Sequence, residues 1–130
     1  MHPRDWKKFF EVGRDRQIQP AQVPIQIAEY LEASSRNVIL HHDYVLKAVK
    51  KHNVPFEQFP MIFETIDRGV AIKDKPKHVT FFHYDETEWN RWFQVTIKVA
   101  GEDRKIYLCT FYKTKEKEVR RRQKNSEQIR

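Results

Sequence analysis

Glycine is scarce in this chain, at three residues in 130, and there is a single cysteine, Cys109. With so few glycines and no low-complexity tract, most of the chain is expected to be ordered. One thiol excludes an internal disulfide and any cysteine-based zinc cluster. No apolar run approaches the roughly 20 residues needed to cross a bilayer. The amino terminus, with Arg4, Asp5, Lys7 and Lys8 around Trp6 and Phe9, lacks the apolar stretch of a signal peptide. A cytoplasmic setting with no membrane partner is expected. His41 and His42 are adjacent and diverge, while His78 and His83 lie five apart and face opposite sides of a strand. No HExxH spacing occurs, and no Walker loop, GxGxxG or GxSxG, so metal, dinucleotide, phosphoanhydride and serine-hydrolase chemistry find no motif. No metal site and no cofactor are expected.

What the chain does have is positive charge. Its 25 basic residues exceed the 18 acidic ones, and the isoelectric point is about 9.6. Such a surplus suits a polyanionic partner but does not bear on fold. The length fits one domain with a real core. Residues 1–37 read as a helical lead-in, with Trp6, Phe9 and Phe10 as possible anchors and a helical spacing at Ile27, Ala28 and Leu31. Residues 38–113 read as an α+β core. Val38-Ile39-Leu40 is a short run suited to an edge strand or a helix entry. A helix over Tyr44–His52 follows, capped by Asp43, with Val45, Leu46 and Val49 on one side and Asn53 to end it. A second apolar stripe over Phe56–Ile66 starts its helix at Pro60 and ends at Gly69, a C-cap glycine. From Val70 the period changes to two. Residues 114–130 read as a charged helix fraying into a disordered tail. The fold expected is N-terminal helices packed on one face of a C-terminal antiparallel sheet of about four strands.

The last two strands, Trp92–Val99 and Lys105–Tyr112, pair across Gly101–Arg104. That register sets Val99 by Ile106, Ile97 by Leu108, Val95 by Thr110 and Phe93 by Tyr112 on the core face. Trp92, Gln94, Thr96, Lys98, Tyr107, Cys109, Phe111 and Lys113 then alternate to the other face. Rings and lysines together suit a single-stranded nucleic acid, whose bases stack and whose phosphates meet cations. Packing of Trp92 and Phe111 under the tail helix or a partner subunit accounts for the rings equally. Metal-free cleavage of RNA needs a base, an acid and cations on the phosphorane. His52, in a lysine-rich helix end, and Lys98, mid-strand on the non-core side, are candidates. Both are also explained as a helix-end histidine and a solvent-facing lysine. Thr110 and Tyr112 could bind phosphate if a bulge turned them off the core face.

Three segments, Asp43–His52, Val95–Val99 and Ile106–Tyr112 with the basic run to Arg122, resemble the phage-associated branch of the barnase–EndoU–colicin–RelE ribonuclease superfamily. The resemblance covers residues 38–122. It implies a metal-independent endoribonuclease of toxin, effector or RNA-processing type, leaving a 2′,3′-cyclic phosphate. It implies His52, Lys98, Thr110 and Tyr112 as catalytic residues. For substrate binding it and the hairpin face together give Lys47, Trp92, Thr96, Tyr107, Phe111, Lys113, Arg120 and Arg121. It further implies single-stranded or tRNA-like RNA as partner, an inhibitor or antitoxin protein, and delivery to a target cytoplasm if the chain is an effector. A non-catalytic nucleic-acid module on the same face, and a protein-interaction domain, are the alternatives.

Overall fold

The computed structural model describes residues 17–130, with the backbone alone for residues 17–20, 45, 46, 48 and 49. The possible anchors Trp6, Phe9 and Phe10 lie outside the described residues, as do the side chains of Val45, Leu46 and Val49. In chain order the elements are β1 (Gln17–Gln22), α1 (Ile25–Leu31), β2 (Asn37–His41), α2 (His42–His52), a 3-10 turn (Phe56–Gln58), α3 (Met61–Arg68), β3 (Val70–Lys73), β4 (His78–Asp85), β5 (Arg91–Ala100), β6 (Lys105–Thr114) and α4 (Glu116–Asn125).

The expected four-stranded antiparallel sheet is corrected on two counts. The sheet has six strands, in the order β1-β2-β6-β5-β4-β3, and it is mixed, because β2 runs parallel to β6. Strands outweigh helices, and two of them precede α2. Val38–Leu40 is therefore an interior strand. Its outer neighbour β1 was hidden in the sequence by glutamines and Pro20. Proline is tolerated there because β1 is an edge strand, and its register with β2 shifts between Ile18 and Ala21.

Helix α3 explains the curvature. It touches β1 near one edge and also β4 and β5, so the sheet curls around it as a half-barrel. Ile62 and Ile66 are fully buried there with Phe59, Phe81, Phe93 and Phe111. At roughly 25 cal/mol per Å² of apolar surface, this aromatic and aliphatic burial is the main favourable term in folding. Gly69 ends α3 with φ −71°, an ordinary extended conformation. It is glycine for space, not for a left-handed cap. A Cβ would lie 2.4 Å from the Thr65 carbonyl oxygen and 2.7 Å from that of Phe82.

The expected disordered tail is instead a strap along β3. Ala71 N–H donates to the Arg130 carbonyl (2.9 Å) and Lys73 N–H to the Glu127 carbonyl (2.8 Å). The Arg130 guanidinium donates to the carbonyls of Ile66 and Gly69, both at 2.6 Å. These are carbonyls that the end of α3 leaves without helical partners. Hydrogen bonds from a charged donor contribute about 1.5–3 kcal/mol, so Arg130→Ala should lower unfolding stability by about 1–2 kcal/mol. Urea titration reads this directly, and an unchanged midpoint would show that the strap contributes nothing to α3.

Candidate functional site

The outer face of the sheet is covered on two flanks. On one, α4 sets Val119 on Ile72 and Phe82, with Trp92 against the same cluster. On the other, α2 lies against β6 and β2 and stacks His52 on Tyr112 with ring centres 4.6 Å apart. Between the flanks is a cleft of about 910 Å³. Gln94, Thr96, Cys109, Thr110 and Tyr112 form its floor. Lys47 stands on the α2 side, the β3–β4 turn with its flanking strand ends contributes Lys73, Asp74, Lys75 and His78, and Arg121 and Arg122 come from α4.

A bulge makes this floor. Thr96 pairs with Thr110 but Ile97 pairs with Leu108, so Cys109 is the extra residue. One added residue reverses the alternation of everything after it. The expected partners of Val95 and Phe93 are thereby corrected to Phe111 and Lys113. Thr110 and Tyr112 join Gln94 and Thr96 on the outer face, and Phe111 turns into the core, 1% exposed. Phe111 is thus no stacking platform. It packs on Phe93 at 5.9 Å and edge-on to Phe59 at 5.7 Å.

Six basic side chains and two acidic ones line the cleft. Glu127 accepts from Lys73 Nζ at 2.6 Å, and Arg121 pairs with Glu118. Asp74 accepts from Thr80 Oγ1 (2.8 Å), Arg122 (3.1 Å) and Lys75 N–H (2.9 Å). Lys47 and Lys75 have no ion-pair partner among the described residues, so the basin stays cationic after these pairs form. Burial by itself would raise the Asp74 pKa. The Thr80 hydroxyl, the Arg122 charge and the Lys75 amide outweigh burial and hold it below the usual carboxylate range. A lowered folded-state value means that Asp74 stabilises the fold above the unfolded carboxylate pKa, about 3.9, and that this contribution disappears as pH falls through the folded value. Asp74→Asn should therefore flatten the acid limb of a stability–pH curve, measured by urea midpoints from pH 7 to pH 3. An acid limb identical to that of the parent would show that Asp74 has no part in it.

His78 Nδ1 lies 2.8 Å from the Pro76 carbonyl oxygen. A carbonyl only accepts, so Nδ1 carries the proton, and in the neutral ring Nε2 keeps a free lone pair. Along the sheet His78 pairs with Lys98, and Lys98 with Tyr107. This row adjoins Thr80, Thr96 and Thr110. His52 is placed differently. Its Nε2 is buried without a hydrogen-bond partner. Burial, then the charges of Lys51 and Lys47, lower its pKa, so the ring stays neutral at pH 7 and backs Tyr112 from outside the cleft lining.

Of the residues expected from the sequence, the cleft gathers Lys47, Thr96, Thr110, Tyr112 and Arg121. Lys98 and Tyr107 are half-buried in the adjoining row. Trp92 is half-buried beside α4, edge-on to Tyr84 at 5.6 Å. Lys113 lines a separate groove with Arg91, Thr114 and Lys115. Arg120 is exposed and pairs with Glu116 at 2.9 Å. Asp74, Lys75, His78 and Arg122 were missed. The polar turn Lys73–Lys77 read as a plain connection, although His78 shares strand parity with Thr80 and so signals the same face.

Among the described residues no group of three His, Cys, Asp or Glu side chains is gathered to hold a metal. No helix among them is long and apolar enough to cross a membrane. No family model, curated protein or solved structure matches the chain.

Proposed function

We propose that this chain is an endoribonuclease that cleaves RNA by acid–base chemistry without a metal. One observation carries the reading. A single cleft holds an imidazole with a free Nε2, two lysines without ion-pair partners, and the hydroxyls of Thr110 and Tyr112. His78 Nε2 takes the proton of a ribose 2′-hydroxyl. The 2′-oxygen bonds to phosphorus, the bond from phosphorus to the 5′-oxygen breaks, and a 2′,3′-cyclic phosphate remains. Lys47 and Lys75 face the charge that grows on the phosphorane, which is where fixed cations lower a barrier most. Thr110 and Tyr112 donate to its non-bridging oxygens. Lys98, beside His78 in the adjoining row, supplies the proton for the leaving 5′-oxygen.

The non-catalytic binding module is favoured less, because its stacking surface is depleted. Phe111 is in the core, and the half-buried Trp92 is engaged beside α4, which leaves Tyr107 as the one of the three expected stacking rings that neither core nor α4 engages. RNA is the partner this reading names, in the cytoplasm of the producing cell or of a target cell, and an inhibitor protein would compete for the same cations. Incubation of the purified chain with total RNA, with and without EDTA, tests it. Fragments ending in 2′,3′-cyclic phosphate in both samples are expected. Intact RNA would refute the enzyme, and cleavage abolished by EDTA would refute the metal-free chemistry.

A further inference from the structure

The floor of the cleft contains a hydroxyl whose proton is already committed. Thr80 Oγ1 lies 2.8 Å from Asp74 Oδ2 and 2.8 Å from Thr96 Oγ1. Asp74 also pairs with Arg122, so its carboxylate is ionised and can only accept. A threonine hydroxyl has one proton. Thr80 gives its proton to Asp74, and therefore it must accept from Thr96. Thr96 has then spent its only donor. It faces the cleft, 8% exposed, as an acceptor with an open lone pair. It cannot donate to a phosphate oxygen, which is itself only an acceptor.

We infer that Thr96 reads a second sugar, accepting a hydrogen bond from the 2′-hydroxyl of a ribose next to the scissile one, whose own 2′-proton goes to His78, and so favouring ribose over deoxyribose. This rests on the RNA reading of the same cleft. The neighbouring chemistry fits the assignment. Lys47 and Lys75 supply donors for phosphate, Thr110 keeps a hydroxyl proton, and Thr96 is the floor hydroxyl with nothing left to give. Asp74 has the role of fixing the direction of the hydroxyl chain. A site that hydrogen-bonds a substrate hydroxyl discriminates against an analogue lacking it, because its own buried polar group is then left unpaired.

The test uses fluorescence anisotropy with a labelled 12-residue RNA and the same sequence carrying 2′-fluoro sugars. The fluoro sugar keeps the RNA-like pucker and lacks the donor. The parent protein carries His78→Ala so that the RNA survives the titration. RNA is expected to bind about fivefold more tightly than 2′-fluoro RNA, the equivalent of one hydrogen bond near 1 kcal/mol. Thr96→Val, close in shape and without a hydroxyl, should bring that ratio to about one, and Thr96→Ser should retain it. Equal binding of the two oligonucleotides to the parent overturns the assignment even if Thr96→Val fails to fold. A ratio that survives in folded Thr96→Val overturns it as well. Failure to bind either oligonucleotide would instead overturn the RNA reading, and this inference with it.

Discussion

Replacing His78 with alanine is expected to slow RNA cleavage by about 10²–10⁴-fold, the usual contribution of a positioned proton-transfer group. The fold and the affinity for RNA should change little. His78 stands at the start of β4 with its Nδ1 engaged by Pro76, and no buried contact depends on its Nε2. The comparison that decides the assignment is His52→Phe. That substitution keeps a flat ring against Tyr112 and removes a nitrogen that has no partner. It should leave cleavage within a few-fold of the parent. If His52→Phe is instead the dead variant, the base is the helix histidine expected from the sequence, and the imidazole in the β3–β4 turn is only a surface residue.

Insertion of one alanine between Cys109 and Thr110 should abolish the native fold, whereas Cys109→Ala should cost less than about 1.5 kcal/mol, as a modest change in side-chain volume does. The difference lies in the bulge. Cys109 is the residue opposite nothing, between the pairs Thr96–Thr110 and Ile97–Leu108. A further inserted residue moves every later residue of β6 one place along and so to the opposite face. Phe111 would leave the cluster it forms with Phe59 and Phe93, and Thr110 and Tyr112 would take its side of the sheet. Loss of one buried phenylalanine costs about 3–5 kcal/mol, a large part of the 5–15 kcal/mol by which such domains are stable. Circular dichroism and a cooperative urea transition for each variant measure the contrast. A folded insertion variant with the parent's midpoint would mean that β5 and β6 tolerate either register, and the cleft floor described above would lose its structural basis.

That bulge also marks the limit of what the sequence discloses. Strict alternation gives the right pairs from Val99–Ile106 to Ile97–Leu108 and fails one residue later, because nothing in Leu108-Cys109-Thr110 announces an unpaired position. No glycine or proline stands there. The helix expected over Tyr44–His52, the start of α3 at Pro60 and the hairpin turn at Gly101 all rest on local chemistry and are found, although the first begins at His42 and so takes Asp43 into its first turn rather than using it as a cap. Strand β1 rests on tertiary contacts that a run of glutamines and a proline does not encode locally. The site divides in the same way. Lys47, Thr96, Thr110, Tyr112 and Arg121 were legible from pattern and resemblance. His78, Asp74 and Lys75 depend on how a polar turn folds over the sheet, which requires the long-range pairing of β3 with β4.

The strap that lies along β3 has a further consequence. A sheet edge with free amides and carbonyls is a template for another copy of the chain, and basic proteins gathered along one polynucleotide meet each other at high local concentration. Here one border is occupied by the chain's own last residues and the other is interrupted by a proline. Even at such crowding, the strands of neighbouring copies are kept from joining into fibres.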